Sequence, residues 1–187
     1  MPMQPEKKKQ RTVQLGRLQS LDKAKKKQES ARLYNQLFSS SEWENSSVIS
    51  TTMSGGIEVD TTPVIKQATL ESKTIVIPKT LPNWQMEFQI LDFQTQLVKS
   101  KFDVLEPENG ITVSKDSIDL ILVPGLGFAD AGNFRLGFGG GYYDRFLDDY
   151  SGKTISLVLS VQHFEQPGWP VESHDIPIQT LIKSGVN

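Results

Sequence analysis

Residues Leu120–Leu147 read LILVPGLGFADAGNFRLGFGGGYYDRFL. The stretch opens as a continuous apolar run of strand length, Leu120-Ile121-Leu122-Val123, stopped by Pro124-Gly125. A strand without alternation is one buried on both faces. Further on, Gly137, Gly139, Gly140 and Gly141 crowd together, and Tyr142 to Leu147 resumes a pattern that suits a helix. A buried strand, a glycine-rich turn and a helix start form a ready seat for phosphate. The first N–H groups of a helix lack internal partners, and glycine lets an anion approach the backbone. Clustered glycines are also the ordinary material of tight turns, so the charges around them carry the functional reading. Arg135 precedes the loop, and Asp144 and Arg145 lie in the following turn.

Working outward, Lys7 to about Phe38 is rich in Lys, Gln, Leu and Glu, and Leu15, Leu18, Leu21, Leu33 and Leu37 recur at helical spacing. One or two amphipathic helices are expected there. Val48 to Met53 is β-branched and strand-like before Gly55-Gly56, and Thr61-Thr62-Pro63 offers a hydroxyl cap and an early proline for a helix over Val64–Leu70. Strands are predicted at Thr74–Pro78, Met86–Ile90 and Thr154–Val161, a short segment at Ile176–Ile182, and irregular chain over 99–117. Strands alternating with helices predict a single α/β domain spanning 1–187. It should be a Rossmann-like three-layer arrangement, a mainly parallel sheet flanked by helices, with the basic helical arm 1–38 included. In such sheets ligands sit beyond the carboxyl ends of the strands. The loops after Met53, Pro78 and Val123 are therefore the candidates.

Composition excludes more than it selects. The 187 residues are 37% hydrophobic and 22% charged, as in globular proteins. Absence of cysteine removes disulfides, thiolate catalysis and cysteine-based metal centres. Neither a membrane-length apolar run nor a signal peptide is visible, so a cytoplasmic protein without membrane partners is expected, with no nucleic acid implied by a net charge of −2. The charge is uneven, because the first 32 residues hold 10 of the 20 Lys and Arg. Such an arm suits a solvated helix face, a nucleic-acid contact or a reach toward an anionic ligand. The glycine loop is neither a Walker A loop, since no Gly-Lys-Ser/Thr follows, nor a dinucleotide fingerprint, since Tyr142 stands where the third glycine belongs.

The segment Arg135-Leu136-Gly137-Phe138-Gly139-Gly140-Gly141-Tyr142-Tyr143-Asp144-Arg145, with Val123-Pro124-Gly125 before it and His174-Asp175 after it, resembles the 5-formyltetrahydrofolate cyclo-ligase family. Lys7 and Arg11 also fit, as does Gly56-Ile57-Glu58-Val59 followed by Thr61. The resemblance implies that ATP phosphorylates the formyl oxygen of 5-formyltetrahydrofolate. The folate N10 then attacks, giving 5,10-methenyltetrahydrofolate, ADP and phosphate. It implies ATP contacts from Lys7, Arg11, Arg145 and the Arg135–Tyr143 segment, with Arg135 and Tyr143 closest to the chemistry, and Mg²⁺ on Asp144 and Asp175. Met53, Glu58 and the loop from Phe138 through Gly139, Gly140 and Gly141 to Tyr142 would border the folate, possibly a polyglutamylated one, on a monomeric enzyme. Trp84 and Met86 are plausible apolar walls but are more often core. Three positions depart from the pattern. The run before Arg135 is one residue longer, leaving Asp130 unassigned; Gly140 replaces a lysine of some members; Ser160 replaces a common glutamate, whereas Gln162 is kept. His163 and His174 read as structural or surface residues.

Overall fold

The computed structural model describes residues 5–54, 56–102 and 104–185. Two helices, α1 (Pro5–Gln19) and α2 (Lys23–Phe38), precede a short α3 (Ser41–Glu44) and strand β1 (Val48–Ser50). Then follow α4 (Thr62–Leu70), β2 (Thr74–Thr80), β3 (Met86–Ile90), β4 (Leu97–Lys99), β5 (Leu105–Pro107), β6 (Thr112–Val113) and β7 (Leu120–Leu122). The chain continues through β8 (Gly127–Ala129), β9 (Arg135–Leu136), α5 (Tyr142–Leu147), β10 (Lys153–Val158), β11 (His163–Phe164) and β12 (Thr180–Lys183).

The main sheet runs β12-β10-β7-β1-β2-β3-β6. Its first five strands are parallel neighbours, and β3 and β6 add an antiparallel edge. The unalternating run Leu120–Val123 now has its explanation. Leu120 and Leu122 point into one core with Leu18, Leu33, Ile49, Val64 and Ile75, while Ile121 and Val123 point into a second with Val76, Phe88 and Leu147. Helices cover both faces, as the three-layer expectation requires.

From β1 the chain crosses to β2 on one side and later returns through β7 on the other. This reversal makes the carboxyl ends of β1 and β7 a topological switch point, the place where an open α/β sheet leaves a crevice. The crevice is lined by Thr51, Thr52, Ser54, Glu58 and Val59 from one loop and Leu122 to Gly125 from the other.

Local expectations fail where side chains override pattern. Residues 99–117 hold short strands rather than irregular chain, because strands of two or three residues show no period, and β6 pairs with β3 some way back along the chain. The last apolar strand stops at Val158 instead of Val161 because Gln162 folds back, its Oε1 accepting from the Leu159 N–H at 3.0 Å. Thr61 stands before α4 but makes no cap bond. Its hydroxyl donates to the Thr52 carbonyl at 2.6 Å and closes the 52–61 loop, while Asp60 accepts from the Thr62 N–H at 2.9 Å.

Helix α1 is fixed by a polar face. Lys7, Gln14 and Leu18 are buried, and Gln14 Nε2 donates to the carbonyls of Leu126 and Val161 at 2.9 Å each. Those loops leave β7 and β10, so α1 lies over the carboxyl ends of the strands. Helix α2 starts on Asp22, which accepts from the Lys25 N–H at 2.9 Å, and buries Glu29, Ser30, Leu33 and Leu37. The Glu29 carboxylate accepts from Ser160 N at 2.8 Å, Ser160 Oγ at 2.6 Å and Ser184 Oγ at 3.0 Å. Ser160 thus has a carboxylate beside it, supplied by α2.

Burial pushes the Glu29 carboxyl up, but the Ser160 and Ser184 donors and Lys25 outweigh it, leaving it below its ordinary 4.5. A depressed carboxylate stabilises the fold above its unfolded value and loses that contribution as the pH falls through the folded one. Glu29→Gln should therefore cost about 2–4 kcal/mol at neutral pH by urea unfolding, because an amide cannot accept from all three donors. The gap should narrow only on acidification below about pH 4. Equal stability of the two proteins at neutral pH would contradict this role for Glu29.

Candidate active site at the carboxyl ends of the strands

Arg135 is the centre of the site. It sits in β9, which pairs with β8, and is buried at 7% exposure. Its Nη2 donates to Asp144 Oδ1 at 3.0 Å, its Nη1 reaches the Pro124 carbonyl at 3.4 Å, and its guanidinium lies 5.7 Å from the centre of the Tyr143 ring. Asp144 Oδ1 also accepts from the Ile176 N–H at 3.3 Å. The structure therefore ties Asp144 to the residue after Asp175, across 31 residues of chain between the two aspartates.

Arg11 comes in from α1, and its Nε donates to the Gly137 carbonyl at 2.9 Å. Burial lowers its affinity for the proton, the like charge of Arg135 adds to this, and Asp175, Glu172 and Asp144 oppose it. Arg11 Nη1 and Arg135 Nε are both buried without a hydrogen-bond partner among the described residues. Two neighbouring guanidinium groups with unused donors are unfavourable in a protein interior unless an anion joins them. A phosphate, with several acceptor oxygens, is the group whose chemistry fits those donors.

Lys7 closes the far side. Its ammonium, almost fully buried, donates to both oxygens of Asp175 at 2.9 and 2.7 Å and to Glu172 at 2.7 Å. Glu172 also donates its backbone N–H to Asp175 Oδ2 at 2.8 Å. Ligand atoms of Glu172, His174 and Asp175 lie within 4.8 Å of one another. The two carboxylates of this group, Glu172 and Asp175, are hard oxygen donors of the kind Mg²⁺ takes alongside phosphate oxygens, whereas the His174 nitrogen is not.

Two glycines of the loop have a physical requirement. A Cβ at Gly137 would lie 2.4 Å from Arg135 Nη1, the nitrogen that reaches the Pro124 carbonyl, and would force the guanidinium to shift. Gly141, the residue before α5, has φ +66°, a left-handed conformation that favours glycine. Helix α5 has only six residues, so the guanidinium groups supply more of the positive field than the helix does. Arg145 is exposed, donates to the carbonyls of Gly140 and Gly141 at 3.3 and 3.0 Å, and covers the exposed Trp84 ring.

The other expected residues divide. Gly139 and Phe138 are exposed on the loop, and Gly140 is half-buried against the Tyr142 ring. Leu136 turns its side chain into the core and gives its carbonyl to the Leu126 N–H at 2.7 Å, so its side chain builds the strand and leaves only its backbone to face the site. Tyr142 is buried, with Phe102 edge-on 5.6 Å away. The Tyr143 hydroxyl is buried without a partner, and burial raises its proton affinity strongly, so it stays a neutral donor. Met53 bridges to Leu105 and packs on the main core, and Met86 packs on the second.

Glu58 stands apart from the arginine cluster, in the switch-point crevice. Desolvation pushes its carboxyl up to about 7, with Lys26 pulling it down. Asp130, unassigned from sequence, holds His163 at 2.9 Å and Lys183 at 3.1 Å on an exposed surface away from these groups. His174 is exposed beside Glu172.

Gln14, Gln162 and Glu172 were not singled out for the site by their sequence. Gln162 donates to the Gly125 carbonyl at 2.7 Å and fixes the turn after β7. The spacing of Lys7, Arg11, Gln14 and Leu18 along one helix face was the available signal for Gln14; Glu172 had none.

The sequence profile described as the 5-formyltetrahydrofolate cyclo-ligase family matches residues 3–184. A mouse (Mus musculus) 5-formyltetrahydrofolate cyclo-ligase is 28% identical, covering 89% of this chain and 87% of the relative. The Escherichia coli K12 protein of the same name is 29% identical over 67% of this chain and 71% of its own. The solution structure of Aquifex aeolicus 5,10-methenyltetrahydrofolate synthetase superimposes with a TM-score of 0.81 at 29% identity, over 95% of this chain and 89% of that one. The Mycoplasma pneumoniae 5,10-methenyltetrahydrofolate synthetase shares the fold, with a TM-score of 0.75 at 20% identity over 95% and 98% of the chains. With its glycine loop, arginine cluster and switch-point crevice in place, the chain belongs to the 5-formyltetrahydrofolate cyclo-ligase family.

Proposed function

We propose that this protein converts 5-formyltetrahydrofolate to 5,10-methenyltetrahydrofolate at the expense of ATP, with Mg²⁺, in the cleft between the arginine cluster and the Glu58 crevice. The observation that carries the reading is the pair of buried, unpartnered guanidinium nitrogens on Arg11 and Arg135 beside the glycine loop. Bound Mg-ATP supplies the phosphoryl group that turns the formyl oxygen into a leaving group as the folate N10 closes the ring, with ADP and phosphate released.

The chain itself positions two ligands and balances charge. Arg11 and Arg135 neutralise phosphate, and Arg135 is held on line by Asp144 and the Tyr143 ring. Asp144 and Asp175 would hold Mg²⁺. In that state the Lys7 ammonium, now spread over Asp175 and Glu172, turns part of its donor capacity to phosphate. The four glycines of the Gly137–Gly141 loop leave its backbone open to the nucleotide, and Arg145 holds the carbonyls of Gly140 and Gly141. Glu58 accepts from the N–H donors of the pterin, with Met53 and Phe138 as apolar borders. No general base is required, because activation falls on the leaving oxygen.

Two measurements test this. Near-ultraviolet absorbance should rise when the protein meets 5-formyltetrahydrofolate and Mg-ATP; no rise where an active control enzyme gives one would overturn the reading. Asp144→Asn should lower turnover by about 100-fold or more through loss of charge at the metal, while the protein still folds, with stability lowered by about 2–4 kcal/mol because the amide oxygen still accepts from the buried Arg135. Parallel loss of folding and activity would make Asp144 a purely structural partner of Arg135. In addition, Arg11→Met should raise KM for ATP by about 10- to 100-fold, a charged hydrogen bond's worth, while KM for the folate stays within about threefold. A rise confined to the folate KM would place Arg11 at the other ligand.

A further inference from the structure

The basic arm does not end its work at the phosphate. One turn into α2, Lys26 is half-buried, and its ammonium donates to the Gly56 carbonyl in the loop that carries Glu58. Gly56 has φ +61°, so the turn it makes is one that glycine adopts easily. A second tether from the same helix lies two turns on, where the Tyr34 hydroxyl donates to the Asp60 carbonyl at 2.6 Å. The loop between β1 and α4 is therefore held against α2 at both ends of Glu58. Its inner side is closed independently by the Thr61 hydroxyl on Thr52.

We propose that Lys26 is a positioning residue for folate recognition: it pins the Gly56 turn and places a compensating positive charge beside the Glu58 carboxylate. The proposal rests on the reading of Glu58 as the pterin acceptor. A carboxylate in a crevice is a useful acceptor only when charged, and burial opposes charging. Lys26 is the cation that opposes burial at Glu58, and Glu58 and Asp60 in turn favour its charged form against its own desolvation. Among the described residues, Asp60 on the same loop and the Tyr143 phenol of α5 also lie near this pair; Tyr143 in turn feels Glu106 of β5 and Arg135, whose charge is committed to Asp144. Asp60 and Tyr143 carry no positive charge, and Lys26 is the cation that acts on Glu58.

The sign follows. Glu58 titrates near 7, so its acceptor form is lost as the pH falls through neutrality. Removing the positive charge raises that value further, and folate binding should fail at a higher pH than in the parent protein. Nucleotide affinity should not follow, because Lys26 touches neither arginine nor the glycine loop.

The test is steady-state kinetics of Lys26→Met, Lys26→Arg and Glu58→Gln from about pH 6 to about pH 9, varying each substrate in turn. In Lys26→Met, KM for 5-formyltetrahydrofolate near neutral pH should rise about tenfold and the acid limb of kcat/KM for the folate should move up by about one unit, the effect of one lost charge contact. KM for ATP should stay within about twofold, and Lys26→Arg should restore most of both. An unmoved folate KM and acid limb in Lys26→Met, alongside a weakened Glu58→Gln, would overturn the role of Lys26 alone. Equal rises in both KM values would also overturn it, by showing that the substitution merely loosens the arm. If Glu58→Gln leaves folate binding unaltered, the pterin reading of Glu58 is what fails, and this proposal falls with it.

Discussion

Burying the Arg135 guanidinium is the constraint on which the rest of the site depends. A guanidinium keeps its charge in any protein interior, so its donors must be met or matched. Asp144, the Pro124 carbonyl and the face of Tyr143 meet part of that need and in doing so fix three elements: the turn after β7, strand β9 and the start of α5. Gly137 is a glycine because Arg135 Nη1 occupies the space of its side chain. What is left over, Nε, has no partner among the described residues and marks where an anion would fit.

The N-terminal helices make this arrangement into a two-ended site. Buried Gln14 locks α1 across two strand-end loops, which fixes where Lys7 and Arg11 can reach. From there the positive charges alternate with carboxylates: Arg11 and Arg135 with Asp144, Lys7 with Asp175 and Glu172. Such a network is close to neutral, so it folds without ligand and still offers donors to a polyanion. Helix α2 extends the same logic to the crevice, where Lys26 faces Glu58. A chain that looks like a basic arm grafted on an acidic body is better described as one charge lattice spread over both.

The fold was largely legible because burial on both faces leaves an unambiguous trace in Leu120–Val123, and because glycine and proline mark where each strand ends. Strand β3 was legible from its alternation over Met86–Ile90, whereas β6 and the small β8-β9-β11 sheet were harder: strands of two or three residues show no period of their own and are decided by their partners. Site residues were legible where a motif packs them together, as in Arg135 to Arg145. Leu136 shows the limit of such carrying over, since it lies inside the motif and yet faces the core. Gln14 and Glu172 were hidden for the opposite reason. A glutamine on a lysine-rich helix looks solvated, and a carboxylate 165 positions from its lysine gives no local sign. Thr61 was found at the right position with the wrong partner, because a hydroxyl before a helix serves a cap and a loop closure equally well.

The central claim is that the unused donors of Arg11 and Arg135 form the phosphate seat. A crystal structure of the protein with Mg²⁺ and a non-hydrolysable ATP analogue tests it most directly. The account predicts phosphate oxygens within hydrogen-bond distance, about 2.7–3.2 Å, of Arg11 Nη1 and Arg135 Nε, with the metal on Asp144 and Asp175. A nucleotide bound with its phosphates away from both arginines, while their buried nitrogens stay without partners, would contradict it.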